Sequence, residues 1–256
     1  MGLLQDYVII VTGSASGIGY ATSSTALREG AHVFGVDVSP LPADLCDHPN
    51  FQSFQGDLTE DSTAQAVVTA CTQAFGNRID GLLNVAGVLD NFASVDAVTD
   101  QIWNKCLAVN LTAPVKLMRA VIPIMRTQKR GSIVNVSSKA GISGGAAGVA
   151  YTASKHGLIG VTKNVAWRFK EENIRCNAVC PGGVLTNIGS DIDRESFDME
   201  AFETMKPVQL AHMPDQSKGP RITPEEVAQV MIFLVSGLSS KVNGAVIPVD
   251  DAWSTI

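Results

Sequence analysis

The chain has 256 residues and a formal net charge of -6, with 45% hydrophobic and 17% charged residues. An acidic balance with no run of Lys or Arg excludes a nucleic-acid surface. No apolar segment is expected to reach the ~20 residues of a bilayer span, which argues against a membrane protein. The length suits one large α/β domain, 1–256, with a sizeable core. Asp6 breaks the apolar start, so neither a signal peptide nor an acylation signal is expected. The five cysteines (Cys46, Cys71, Cys106, Cys176, Cys180) are odd in number and scattered, and Cys176 and Cys180 read as small buried thiols. With four dispersed His and no metal spacing, a reducing, cytoplasmic home without a metal centre is expected.

In chain order, 7–11 (YVIIV) is a continuous β-branched apolar run, the mark of a strand buried on both faces. It feeds into Thr12-Gly13-Ser14-Ala15-Ser16-Gly17-Ile18-Gly19, a helix to Glu29 and a terminating Gly30. A second strand, 31–36, ends at Asp37, and the Pro-punctuated stretch to Asn50 reads as loop. A strand at 51–55 leads to Gly56-Asp57-Leu58 and a helix at 59–75. The strand 79–85 closes on Ala86-Gly87. A long helix over about 99–127, bent near Pro114, precedes a strand at 132–136 that carries Ser137 and Ser138 at its end.

A Gly/Ala-rich loop then gives way to a helix that starts just before Tyr151 and runs to about Glu172. A strand at 174–179 ends in Cys180-Pro181-Gly182-Gly183. The stretch to Ile222 shows no clear core pattern. Thr223-Pro224-Glu225-Glu226 is a capping box with Pro at the first helical position, and 245–249 supplies the last strand. Seven strands alternating with helices predict right-handed βαβ units and a mostly parallel, doubly wound sheet covered on both faces.

In such a sheet ligands bind beyond the carboxyl ends of the strands, and the glycine loop, Asp37, Asp57, Asn84, Ser138 and Pro181-Gly182 all fall there. The loop reads G-x-x-x-G-x-G: glycines let backbone approach a pyrophosphate, and the following helix N-terminus favours its charge. Asp37 can accept hydrogen bonds from an adenosine ribose and would repel a 2′-phosphate, which favours NAD over NADP. Tyr151 and Lys155, four apart on a helix, share one face. A nearby ammonium favours phenolate and would lower the phenol's usual pKa of about 10, making a proton-transfer pair.

Taken together, Thr12-Gly13-x-x-x-Gly17-x-Gly19, Asp57-Leu58, Asn84-x-Ala86-Gly87, Asn110, Ser138, Tyr151-x-x-x-Lys155 and Pro181-Gly182 resemble the pattern of the short-chain dehydrogenase/reductase family over essentially the whole chain. The resemblance implies a Rossmann-like three-layer αβα sandwich. It implies a homodimer or homotetramer that moves hydride between a nicotinamide and an alcohol or ketone. By position, Ser138 would hold and polarise the substrate oxygen and Tyr151 would exchange its proton. Lys155 would lower the Tyr151 pKa and bond the nicotinamide ribose, and Asn110 would hold a relay water. Gly13, Ser16, Gly17, Ile18, Gly19, Asp37, Asp57, Leu58, Asn84, Ala86, Gly87, Pro181, Gly182, Val184 and Thr186 would complete the cofactor contacts. Ser138 rather than Ser137 is chosen because its thirteen-residue interval to Tyr151 is the one the resemblance to the family implies, and adjacent strand residues face opposite ways.

Val85 stands where the family often has Asn, and Asp250-Asp251-Ala252 where it often has Asp-Gly-Gly. The segment 187–221, with Phe197, Met199, Phe202 and Met205, is expected to form a substrate lid. These residues with Val88, Leu89 and Ile142 suggest an apolar substrate wall. His156 reads as a packing or interface residue rather than a catalytic base, and Asn104 and Lys105 as surface. A non-catalytic dinucleotide-binding regulator, or an isomerase, dehydratase or cyclase using the same cofactor, is the alternative.

Overall fold

The computed structural model describes residues 2–190, 192, 195–212 and 222–255. Seven strands form one sheet: β1 (Val8–Thr12), β2 (His32–Asp37), β3 (Phe51–Gln55), β4 (Gly81–Asn84), β5 (Gly131–Val136), β6 (Ile174–Pro181) and β7 (Val246–Val249). Their order is β3-β2-β1-β4-β5-β6-β7, and every pairing is parallel. The order turns back between β1 and β4, so the connections leaving those strands diverge and open a crevice there.

Among the described residues eight α-helices accompany the sheet: α1 (Gly17–Arg28), α2 (Ala43–Cys46), α3 (Thr63–Phe75), α4 (Asp100–Leu107), α5 (Ala113–Gln128), α6 (Val149–Arg168), α7 (Met199–His212) and α8 (Pro224–Val235). Period-2 alternation sends neighbouring strand residues to opposite faces. Ile10, Leu82 and Ile133 pack with Val67, Leu117, Val121 and Val165 of α3, α5 and α6. Ile9, Leu83 and Val134 pack with Ala26, Val227 and Met231 of α1 and α8. These strand residues are fully buried, and each such side chain contributes roughly 1.5–3 kcal/mol of hydrophobic stabilisation.

The Thr223 capping box forms as predicted, with Glu226 N–H donating to Thr223 Oγ1 and the Thr223 N–H donating to Glu226. At the other end of α8 no basic residue of the helix meets the last carbonyls. The half-buried Arg175 of β6 does so instead, donating to the Leu234 carbonyl at 2.8 Å, the Ser236 carbonyl at 3.0 Å and Ser239 Oγ at 2.9 Å.

Several expectations need correction. The stretch after Asp37 carries the short α2, and α7 occupies the segment without a core pattern. The interruption expected near Pro114 is a π turn, Ala108–Thr112, just before it, with Pro114 in the first turn of α5. The whole run Asp100–Gln128 is long and apolar enough, by composition alone, to cross a membrane, contrary to expectation. Its buried face, including Leu117, Val121 and Met125, packs on the sheet. The helix of Tyr151 ends at Arg168, followed by a separate 3-10 turn, Lys170–Glu172, and a left-handed Asn173 at φ 56°.

Candidate active site

A cleft of about 1040 Å³ opens over the carboxyl ends of the strands. Its lining includes Gly13, Ser16, Gly17, Ile18, Gly19, Asp37, Asp57, Leu58, Ala86, Gly87, Ser138, Tyr151, Lys155, Pro181, Gly182, Val184 and Thr186. Asn84 and Asn110, the other two predicted residues, stand behind it.

Each loop glycine answers a different constraint. Gly13 has φ +72° and its missing Cβ would lie 3.0 Å from the Ala86 backbone. Gly17 has φ +53°, and a Cβ there would meet the Thr186 methyl at 3.2 Å. At Gly19 a Cβ would fall 1.9 Å from the Gly13 carbonyl oxygen, so only a bare α-carbon lets α1 start against the loop. The first turn of α1 holds no acidic residue, leaving its N-terminal N–H groups and dipole facing the cleft. The residues present therefore fit a dinucleotide pyrophosphate.

Asp37 is already at work: one carboxylate oxygen accepts the Ala15 N–H and the other the Ser39 N–H, both at 2.9 Å. Each oxygen retains a further lone pair for a ribose hydroxyl. Asp57 similarly accepts both the N–H and the hydroxyl of Thr59 at 2.8 Å.

On the far side of the cleft, α6 carries Tyr151 and Lys155 one turn apart, both buried. Lys155 Nζ donates to the Val136 carbonyl at 2.9 Å and lies 5.4 Å from the Tyr151 ring centre. Ser138, just past the end of β5, lies beside the Tyr151 phenol in the cleft lining, and its hydroxyl favours the phenolate. Ser137 points the other way and donates to the Lys155 carbonyl, tying α6 to the strand at 3.0 Å. The structure thus brings the Ser138 hydroxyl, the phenol and the ammonium to one wall.

The electrostatics correct one expectation. Burial pushes the Tyr151 phenol up to about 12; the Ser138 hydroxyl works against this rise and the Asp90 carboxylate adds to it. The same burial brings Lys155 down to about 8, because loss of water disfavours either charged form. At neutral pH the pair is therefore a protonated phenol beside a mostly protonated amine.

Asn84 and Asn110 do not reach the cleft. Asn84 shares the strand face of Leu82, so its amide turns inward and donates to Asn135 Oδ1 at 2.8 Å. Asn110, in the π turn, exchanges two hydrogen bonds with the Val88 backbone, both at 2.9 Å, and donates to Ser154 Oγ at 3.1 Å. Its side chain is committed to protein, which leaves only its backbone for a relay water. Gly87 passes so close that a Cβ would lie 3.2 Å from Asn110 Oδ1 and 3.4 Å from Lys155 Nζ.

Asn104 and Lys105 are exposed, as the sequence reads them, and also border the cleft, one turn before Ala108 and Val109, which line it too. Val88 and Leu89 are in the wall, as are Ile188 and Ile192, whereas Ile142 is not. Phe197 and Phe202 turn from the cleft onto Phe92, with ring centres 5.1–5.3 Å apart, and Met199 is exposed. The predicted lid therefore contributes its first residues to the wall, not its Phe and Met; 191, 193–194 and 213–221 lie outside the described residues. His156 is exposed on α6, its Nδ1 3.0 Å from the Thr152 carbonyl. A residue that sequence reasoning missed is Asp90, a buried carboxylate that accepts the Tyr151 N–H at 2.9 Å.

A family model described as short chain dehydrogenase matches residues 7–196. An asnovolin H dehydrogenase of Aspergillus novofumigatus is 61% identical over 257 residues, covering 100% of both chains. A short-chain dehydrogenase/reductase of Penicillium canescens is 60% identical with the same coverage. Among solved structures, levodione reductase is 31% identical, covers 98% of this chain and 99% of that one, and superposes with a TM-score of 0.85.

Proposed function

The chain belongs to the short-chain dehydrogenase/reductase family, and from that premise we propose that it interconverts a secondary alcohol and a ketone on a largely apolar, ring-containing small molecule, with NAD(H) as cofactor. The observation that carries this reading is the meeting of Ser138, Tyr151 and Lys155 at the wall of a cleft whose other wall is the glycine loop.

The bound nicotinamide supplies or takes up the hydride. Ser138 holds the substrate oxygen by its hydroxyl. Tyr151, protonated at neutral pH, gives its proton to that oxygen as the carbonyl becomes an alcohol, and recovers it from the hydroxyl in the reverse direction. Lys155, kept cationic below about 8, stabilises the phenolate left behind and is placed to bond a ribose hydroxyl. Asn110 braces Val88 and Gly87 beside Lys155, and its backbone is the part that would hold a relay water. Gly13, Ser16, Gly17, Ile18 and Gly19 would seat the pyrophosphate, Asp37 the adenosine ribose, and Asp57 and Leu58 the adenine. Ala86, Gly87, Pro181, Gly182, Val184 and Thr186 would border the ribose and nicotinamide.

NAD is favoured over NADP by the Asp37 carboxylate at the ribose end. The apolar substrate class follows from Val88, Leu89, Val184, Ile188 and Ile192 in the wall, and two relatives are named for action on asnovolin H and levodione. A cytoplasmic homodimer or homotetramer completes the reading, resting on the scattered thiols and on family habit; light scattering tests the assembly. The activity is tested by screening ketones and alcohols for a change in nicotinamide absorbance, with product mass read in parallel. Substrate consumed with a mass change other than two hydrogens overturns the proposed reaction, and so does a panel without turnover.

A further inference from the structure

The loop after β4 touches two separate parts of the molecule within four residues. Asp90, 2% exposed, accepts the N–H groups of Gly148 at 3.1 Å and Tyr151 at 2.9 Å, and Ala93 accepts that of Val149 at 2.9 Å. These amides belong to the first turn of α6, where no intrahelical carbonyl can take them. Gly148 has no room for a side chain, since a Cβ would lie 2.5 Å from the Asp90 carboxylate.

The two residues between face the other way. Asn91 donates to the Ser196 carbonyl at 2.5 Å and accepts the Asp198 N–H on its own carbonyl at 3.0 Å. Phe92 forms the ring cluster with Phe197 and Phe202. It does so at φ +68°, a left-handed conformation that a bulky residue adopts only when its surroundings impose it, and its N–H is fixed by Asp90 at 3.1 Å.

We propose that residues 90–93 are a strap coupling the seating of segment 195–212 to the first turn of the Tyr151 helix, with Asp90 a positioning residue for proton transfer. A four-residue segment whose ends hold α6 and whose middle holds 195–212 transmits a shift on one side to the other. Asp90 acts through the backbone of Tyr151 and stands outside the lining of the cleft. The positioning role rests on the proton-transfer reading given above; the mechanical coupling does not.

Hydrogen exchange of the cofactor-free enzyme, followed by mass spectrometry, tests the coupling. Phe92→Ala removes a ring that meets Phe197 and Phe202, and it is expected to speed exchange at 148–151 at least ten-fold together with 195–212. Acceleration confined to 195–212 overturns the coupling. Asp90→Asn supplies the reciprocal experiment; should it fail to fold, Phe92→Leu beside Phe92→Ala decides the point by a graded effect at 148–151.

For the positioning role the readout is pH dependence. The groups facing Tyr151 are Asp90, Cys106, Cys180, Ser138 and Lys155. Removing the Asp90 charge is expected to move the inflection of alcohol oxidation to lower pH and to reduce kcat with the Kd of NADH unchanged. A lower kcat with an unmoved inflection overturns the positioning role. Coupled exchange without any alcohol or ketone turnover would instead sink the proposed reaction and leave the coupling standing.

Discussion

Replacing Asp37 by Ala separates its two duties. As a charge it stands where an adenosine ribose would carry a 2′-phosphate; two unit charges ~5 Å apart interact by about 3 kcal/mol at an effective dielectric near 20. Asp37 is only half-buried, so screening reduces this to roughly 1–2 kcal/mol, or about 5–30-fold in NADPH affinity. As an acceptor it holds the Ala15 and Ser39 N–H groups. Losing a bond to a charged acceptor costs about 1.5–3 kcal/mol in general, less where water can replace it. Asp37→Ala is therefore expected to weaken NADH about ten-fold while improving NADPH, whereas Asp37→Asn, retaining one acceptor oxygen, improves NADPH with a smaller NADH penalty. Fluorescence titration with both cofactors at low and high salt measures this, and wild-type discrimination should shrink as salt rises. A wild type that prefers NADPH, or a ratio unmoved in Asp37→Ala, refutes the reasoning.

Gly19→Ala places a Cβ 1.9 Å from the Gly13 carbonyl, so the loop must shift; dinucleotide binding should fall beyond calorimetric detection and stability by about 1–3 kcal/mol. Retained binding would show that the loop does not seat the cofactor. Arg175→Met removes the charged donor to the Leu234 and Ser236 carbonyls, leaving them the Ser132 and Ser239 hydroxyls, and should cost about 1–3 kcal/mol in denaturant unfolding; no measurable loss would mean those hydroxyls and water replace the guanidinium. Alcohol oxidation needs the phenolate, so its rate should rise with pH, while ketone reduction needs the phenol and should fall. Lys155→Met removes the amine that, cationic below about 8, steadies the phenolate as Tyr151 gives up its proton, and should slow ketone reduction at pH 7 by roughly 10–1000-fold. Undiminished reduction at pH 7 would deny Lys155 that role.

Much of the fold was legible because its signals are local. Runs such as 7–11 announce two-sided burial, and Thr223-Pro224-Glu225-Glu226 contains its own cap. The placing of Ser138, Tyr151 and Lys155 at one wall followed from helix spacing and strand-end position. What escaped depends on partners distant in sequence or on solvent access. Asp90 meets Tyr151 across 61 positions, and no local pattern marks it. The π turn at Ala108–Thr112 has no composition of its own, and the upward shift of Tyr151 reflects burial that spacing cannot report. Asn84 was readable in principle: two positions after the core-facing Leu82, period-2 alternation turns it inward.

The most direct measurement is the turnover of Tyr151→Phe, which removes only the phenol oxygen, beside its Kd for NADH. Turnover should drop by at least ~10²–10⁴-fold while NADH binds as in the wild type. Normal turnover by the Phe variant would contradict the account at its centre.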